Sequence, residues 1–262
     1  MIRKIICADS LKWLKNQTNN SIDNFVTGIA DMDEVNMNID KYKIFIDDIL
    51  TLIFKTLSDD GYAIFIQTDR KYERSWIDKS YLISRIADNF GLKMIWHKIL
   101  LNRDVNATDL YRPTYSHMLC YSKNGTTGSA TPDVLPISKR LYKNSTPLLP
   151  ALRAVEFILK YSKGKLIVDP FVGRGTICAI CDLFGVPSIG IDISKSQCKI
   201  ANDFIFSKSD LEYINNMTNI SKITDKPDKP DKPDITNRTN RTSRISRISR
   251  ISRTRRTSKH KI

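Results

Sequence analysis

Apolar positions along most of this chain follow two alternating spacings. Short runs that are continuous or alternate every second residue predict strands over 21–29, 62–67, 93–101, 117–121, 165–168 and 188–191. Between them the spacing changes to three and four. Over 40–57 it brings Ile44, Ile49, Leu52, Ile53 and Leu57 close to one helical face, and Asp59-Asp60-Gly61 stops the pattern. Further helices are predicted over 81–90 (closed by Gly91), to about Tyr161 from a Thr146 cap and a first-turn Pro147, over 176–184 (closed by Gly185) and over 195–206. A long polar loop, 102–116, separates two of the strands. Strand and helix alternating from Met1 to about Phe206 predict an α/β fold of Rossmann-like type, with a mainly parallel sheet and helices on both faces.

Beyond Asn216 the periodicity gives way to Lys-Pro-Asp and then Ser-Arg-Ile repeats. Such repeats bury too little apolar area to offset their ordering entropy, so the expected organisation is one folded domain over 1–217 and a disordered basic tail over 218–262. The tail also carries most of the charge: it holds 14 basic and 4 acidic residues, hence +10 of the net +14. That excess favours a polyanionic partner, nucleic acid or an anionic membrane surface. No apolar run approaches the ~18 residues of a membrane span, so no membrane partner is expected. Five scattered cysteines, behind a start too short and charged for a signal peptide, point to a reducing intracellular compartment without disulfides.

The most informative stretch begins at Leu166 and reads Leu-Ile-Val-Asp-Pro-Phe-Val-Gly-Arg-Gly-Thr. A buried-type strand runs into Asp169, Gly173 and Gly175 permit a tight turn, and a helix starts at Thr176. This is how a nucleotide-like ligand is held against a helix N-terminus. A second strand ends at Asp192, about 19 residues after Gly173, where a carboxylate can accept hydrogen bonds from ribose hydroxyls. Together, Asp-Pro-Phe-x-Gly-x-Gly-Thr and the later Gly-Ile-Asp-Ile-Ser resemble the S-adenosylmethionine motif of the DNA adenine and cytosine amino-methyltransferases.

That resemblance implies a Rossmann-like methyltransferase fold with S-adenosyl-L-methionine as cofactor. Asp169, Pro170, Phe171, Gly173, Gly175 and Thr176 would form the cofactor loop; Asp169, Phe171 and Gly173 would surround the methionine half, and Asp192 would hold the ribose. The loop lies near residue 170 rather than near the N-terminus, which resembles the circularly permuted β-type arrangement, with the catalytic half first. The likeness covers roughly 5–206. Residues 5–14 and 21–27 look like the family's opening, and 143–149 stand where the family has a loop and helix closing over the methionine end.

At the end of the catalytic strand the family carries Asp/Asn/Ser-Pro-Pro-aromatic, whose acceptors bind the target amine and whose ring stacks on the flipped base. Here the aligned stretch is Gly28-Ile-Ala-Asp-Met-Asp-Glu. Asp31, which stands where the ring should be, is the first candidate for catalysis, with Asp33 and Glu34 beside it. Such a carboxylate could accept the proton of a ring nitrogen or bind an exocyclic amine. Three acids within four residues also evoke a metal, but no histidine is paired with them at ligand spacing, and none is expected. Cys178 and Cys181 lie on an apolar helix without a second pair and read as core. Two loops mix cations with rings as nucleic-acid contacts do: 69–76, with Arg70 and Lys71, and 103–117, with Arg112, Tyr115 and His117.

The expected function is methylation of a nucleic-acid base, in DNA or RNA, at an exocyclic amine or ring nitrogen. The alternative is an inactive methyltransferase-like subunit that binds nucleic acid for a partner enzyme. A second subunit, identical or different, is left open.

Overall fold

The computed structural model describes residues 3–73, 75–126 and 131–224. In chain order it contains β1 (Arg3–Cys7), α1 (Ser10–Lys15), β2 (Ile22–Thr27), α2 (Ile39–Thr56), β3 (Leu57–Gln67), β4 (Arg70–Tyr72), β5 (Ser75–Ile77), α3 (Lys79–Asn89), β6 (Lys93–Leu101), β7 (Tyr115–Ser122), β8 (Val134–Leu135), α4 (Leu148–Tyr161), β9 (Ile167–Asp169), α5 (Thr176–Leu183), β10 (Ser188–Asp192), α6 (Lys195–Asp203) and α7 (Lys208–Thr224). Eight strands form one sheet in the order β1-β10-β9-β2-β3-β7-β6-β8, and β4 and β5 make a separate hairpin. Only β7 runs against its neighbours in the large sheet.

Burial on both faces explains the near-continuous apolar runs of the central strands. In β2, Phe25 enters the core under α1, α2 and α3, while Val26 enters the core under α4, α5 and α7. In β3, Ala63 and Phe65 face the first core, and Tyr62, Ile64 and Ile66 the second. Leu119 and Tyr121 of β7 alternate with Met118 and Cys120 in the same way. Cys178 and Cys181 are free thiols buried on α5.

The sheet order places the cleft. Neighbours β9 and β2 lead in opposite directions: β9 continues through α5 to β10 on one side, and β2 through α2 to β3 on the other. Their carboxyl ends therefore flank the switch point where open α/β sheets bind ligands. β1 pairs with β10 at the far edge, with Cys7 opposite Asp192.

Four expectations need correction. Ile44 is exposed, because the buried face of α2 is set by Tyr42, Ile46, Ile49, Leu50 and Ile53. The strand expected over 62–67 begins earlier: α2 stops at Thr56 and the chain turns directly into β3, whose Leu57 pairs with Ile22. Thr146 does not cap α4; Pro147 occupies the cap, and the first free amides donate elsewhere, Leu148 N to Lys139 O (2.9 Å) and Leu149 N to Ser138 Oγ (2.8 Å). The chain is helical past the boundary expected at 217, since α7 reaches Thr224 with Ile214 in the core. The repeats from 225 onward lie outside the described residues. No helix among the described residues is long and apolar enough to cross a membrane.

Candidate active site

A cleft of about 1140 Å³ opens over the carboxyl ends of β9 and β2 and is lined by residues from both halves of the sequence. On its β9 side Asp169 is buried at the strand end. Its Oδ1 accepts from Thr27 Oγ1 at 2.7 Å and from Phe171 N at 3.1 Å. Burial pushes this carboxyl up to about 7 despite both donors, and the neighbouring Asp192 adds to the shift. The turn then places Gly175 at φ +88 as the cap of α5, so close to α6 that a Cβ there would meet Ala201 at 3.0 Å. Asp192, at the end of β10, accepts from Gly173 N (3.1 Å) and Ser194 N (2.8 Å).

S-adenosylmethionine fits this donor set. Beside Gly173 the space is open, since an added Cβ would have only the Tyr142 hydroxyl within 4 Å, at 3.9 Å. Asp192 remains partly exposed at the cleft wall, so its carboxylate can take ribose hydroxyls. The acid of Asp169 at the other end suits a ligand half that carries positive charge. Pro170, Phe171 and Thr176 also line the cleft, whereas Gly175 serves packing.

The β2 side is built differently. A Cβ at residue 28 would stand 2.8 Å from the Ile66 carbonyl oxygen, so the close approach of β2 to β3 excludes the side chain that the resemblance places there. Gln67, at the end of β3, clasps the next residue instead: its Oε1 accepts from Ile29 N (2.7 Å) and its Nε2 donates to Ile29 O (3.3 Å). Tyr42 Oη donates to Ala30 O at 2.9 Å. Asp31 follows, with Oδ1 bound to Lys79 Nζ at 3.0 Å and Oδ2 at 3.2 Å from the Arg112 guanidinium and 3.8 Å from that of Arg70. Burial alone would raise its carboxyl; the Lys79 ammonium, then Arg112 and the Met32 amide, outweigh it and hold the group below its ordinary value.

Comparison with known proteins joins this geometry to a family. The DNA methylase family matches residues 139–203, from the strap ahead of α4 through β10 into α6. Over 247 residues the chain is 23% identical to the Type II methyltransferase M.HpaI of Haemophilus parainfluenzae, covering 79% of this chain and 76% of that protein. The PvuII DNA methyltransferase (cytosine-N4-specific) superposes with a TM-score of 0.60 at 15% identity, over 84% of this chain and 93% of that one. The M1.HpyAVI–SAM complex superposes with a TM-score of 0.53 at 17% identity, over 76% and 98%. The chain thus resembles the DNA amino-methyltransferase family, which these matches support. It is an S-adenosylmethionine-dependent nucleic-acid base methyltransferase, with the Rossmann-like fold expected.

In the methyltransferase the residues singled out from sequence divide into those the cleft gathers and those it does not. Asp31, Glu34 and Arg112 line it together with the cofactor loop. Asp33 is exposed and paired with Arg70 at 2.6 Å, outside the lining. Lys71 is spent on a turn, donating through Nζ to Asp109 O at 2.6 Å. His117 points inward, with Nε2 3.1 Å from Asp69 Oδ2 and Nδ1 2.9 Å from His97 Nε2, and Tyr115 packs edge-on against its ring. These two support the site from behind: Asp69 Oδ1 accepts from Lys79 N at 3.0 Å, which fixes the start of α3 and hence the lysine on Asp31.

Sequence reasoning missed Gln67, Lys79 and Tyr142. Lys79 is almost wholly buried, yet beside Asp78 and Ser80 nothing in the sequence distinguishes it from a solvated lysine. Tyr142 sits on the strap over the cofactor turn; its hydroxyl accepts from Arg174 N at 3.1 Å, and the Arg174 guanidinium lies 4.7 Å from its ring centroid. Its place directly before the 143–149 segment was the available signal.

Proposed function

We propose that the methyltransferase modifies an exocyclic amine of a DNA base, with Asp31 as the acceptor that orients the amine. The supporting observation is the cation clamp on Asp31. A carboxylate held below its ordinary value by Lys79 and Arg112 is a weak base, poorly matched to withdrawing a ring-nitrogen proton, but it remains a good hydrogen-bond acceptor. An exocyclic amine needs no deprotonation before attack, and the alkylated nitrogen is acidic enough to lose its proton to a weak base or to water.

When bound, the cofactor supplies an electrophilic methyl group on sulfonium. The chain's own residues do the rest. Asp169 and Asp192 set the two ends of the cofactor. The Gln67 and Tyr42 clasps fix the backbone of Ile29 and Ala30 at the mouth, and Lys79 holds Asp31 in place. Arg112 is half exposed, so it can exchange its contact with Asp31 for a backbone phosphate as the base enters. Asp33 and Glu34 tune the charge of the same turn, with Arg70 on Asp33. The basic repeats after 224 would add counterion release on a polyanion.

The test is nucleoside mass spectrometry after incubation with labelled S-adenosylmethionine and either DNA or RNA. Label in N6-methyladenine or N4-methylcytosine from DNA is expected; label in a ring-nitrogen product, or in RNA alone, would overturn the proposal. Asp31→Asn retains a carbonyl oxygen, so it should keep more turnover than Asp31→Ala. Ring-nitrogen chemistry would instead lose about 10²-fold or more in both. Unchanged cofactor affinity serves as the control for folding.

A further inference from the structure

The connection between β6 and β7 carries two large apolar side chains that its own structure holds out in water. Leu110 is 84% exposed and Tyr111 71% exposed. This is not a slack loop. Asp109 Oδ1 accepts from both Tyr111 N (2.7 Å) and Arg112 N (2.9 Å), closing a tight Asx turn under the pair. Its other oxygen is 2.7 Å from the Arg103 guanidinium. Lys71 on the β4–β5 hairpin grips the turn from the far side, with Nζ on Asp109 O at 2.6 Å and its own N–H on Tyr111 O at 3.3 Å. Immediately after the pair, Arg112 reaches Asp31 at 3.2 Å.

Exposing two such side chains opposes the hydrophobic effect, and a fixed turn keeps them from folding back onto the body. They are flanked in sequence by Arg103 and Arg112, which line the cleft; both guanidinium groups are paired, with Asp109 and Asp31, yet stay about half exposed, so each can exchange its partner for a phosphate. An enzyme that works on a base inside a duplex must unstack it, and apolar side chains inserted between base steps do this.

We propose that Leu110 and Tyr111 form a wedge that enters the DNA stack next to the target and holds open the gap left by the flipped base. The inference rests on the base-methylation reading above. Tyr111 offers a ring on which the neighbouring base stacks; Leu110 fills the space between steps; Arg112, released from Asp31, follows the backbone.

The experiment uses the full chain, labelled S-adenosylmethionine and unmethylated DNA amplified from a bacterial genome, supplied as duplex or heat-denatured. An already unstacked base needs no wedge. The double substitution Leu110→Ser with Tyr111→Ser should lower the ratio of duplex to denatured labelling about tenfold or more. Leu110→Met with Tyr111→Phe, which keeps the apolar bulk, should restore the ratio, and both variants should match the wild type in cofactor affinity. A ratio within twofold of wild type would overturn the wedge and leave Leu110 and Tyr111 to another occupant, such as a protein partner. So would a wild-type enzyme that labels duplex but not denatured DNA. Absence of wild-type label in either form would overturn the base-methylation reading itself, a result distinct from an unchanged ratio.

Discussion

The two walls of the cleft treat their polar groups in opposite ways. On the β9 wall the turn keeps open space beside Gly173, and its carboxylates are held mostly by neighbouring backbone amides. On the β2 wall the protein satisfies nearly everything itself: Gln67 occupies both polar atoms of Ile29, Tyr42 takes the Ala30 carbonyl, and Lys79 with Arg112 covers Asp31. The first wall is shaped around a ligand whose chemistry is fixed. The second is an ion-paired structure that a substrate would, on the function proposed above, partly dismantle, with Arg112, half exposed, as the member that would leave.

The sharpest way to break this contrast is to unbalance the β2 wall. Lys79→Met leaves Asp31 buried without its nearest cation and should cost about 3–5 kcal/mol of folding stability, read as a lower urea midpoint. Combining it with Asp31→Leu should recover most of that loss, because no uncompensated charge remains. A cost below about 1 kcal/mol for Lys79→Met would show that the clamp is ornamental and that the walls do not differ as described.

On the β9 wall the corresponding change acts on binding rather than folding. Asp192→Ala should weaken S-adenosylmethionine by about 1–3 kcal/mol through lost charge-assisted hydrogen bonds, while leaving the unfolding midpoint nearly in place. Calorimetry and a denaturation curve on the same preparation separate the two effects. Equal losses in both would erase the distinction.

A third effect is a pH dependence. The folded-state value of Asp169, about 7, lies above its ordinary 3.8, so between those values the folded protein holds a proton that the unfolded chain does not. Stability of the cofactor-free protein should therefore fall as pH rises from about 4 to about 7, then level off. A cationic cofactor favours the ionised acid, so affinity moves the other way. It should rise by up to about tenfold per unit as pH approaches 7, then plateau. Asp169→Asn should flatten both curves in thermal melts and titrations across pH 5.5–8.5.

How far each wall could be read from sequence follows from its construction. The cofactor turn uses contiguous residues and backbone groups, so 166–192 carries its whole plan in one βαβ stretch, and the strands and helices around it obey clean periodicities. The β2 wall is assembled from five segments: Ala30 and Asp31, Tyr42, Gln67, Lys79 and Arg112 come together only through the sheet order. No local pattern marks a buried lysine or a glutamine folded back on a neighbouring strand. For the same reason Tyr115 and His117, which look from sequence like substrate contacts, face the Asp69 support instead. The helix α7 was illegible because its polar, Asn-rich sequence resembles the tail it precedes.

That helix has a bearing on the cofactor opening. Tyr213 donates to Ser138 Oγ at 3.2 Å and accepts from Lys139 N at 3.3 Å, and Asp210 pairs with Lys139 at 2.7 Å. These residues begin the strap that carries Tyr142 across Arg174. Seen as a mechanical linkage, α7 is the peg to which one end of the strap is tied. Trimming the chain back as far as 224 leaves the knot intact, while trimming past Tyr213 and Asp210 unties it. A force or a cut arriving from the C-terminal side thus has a short, defined route to the turn at Gly173 and Arg174 and the cleft beside it.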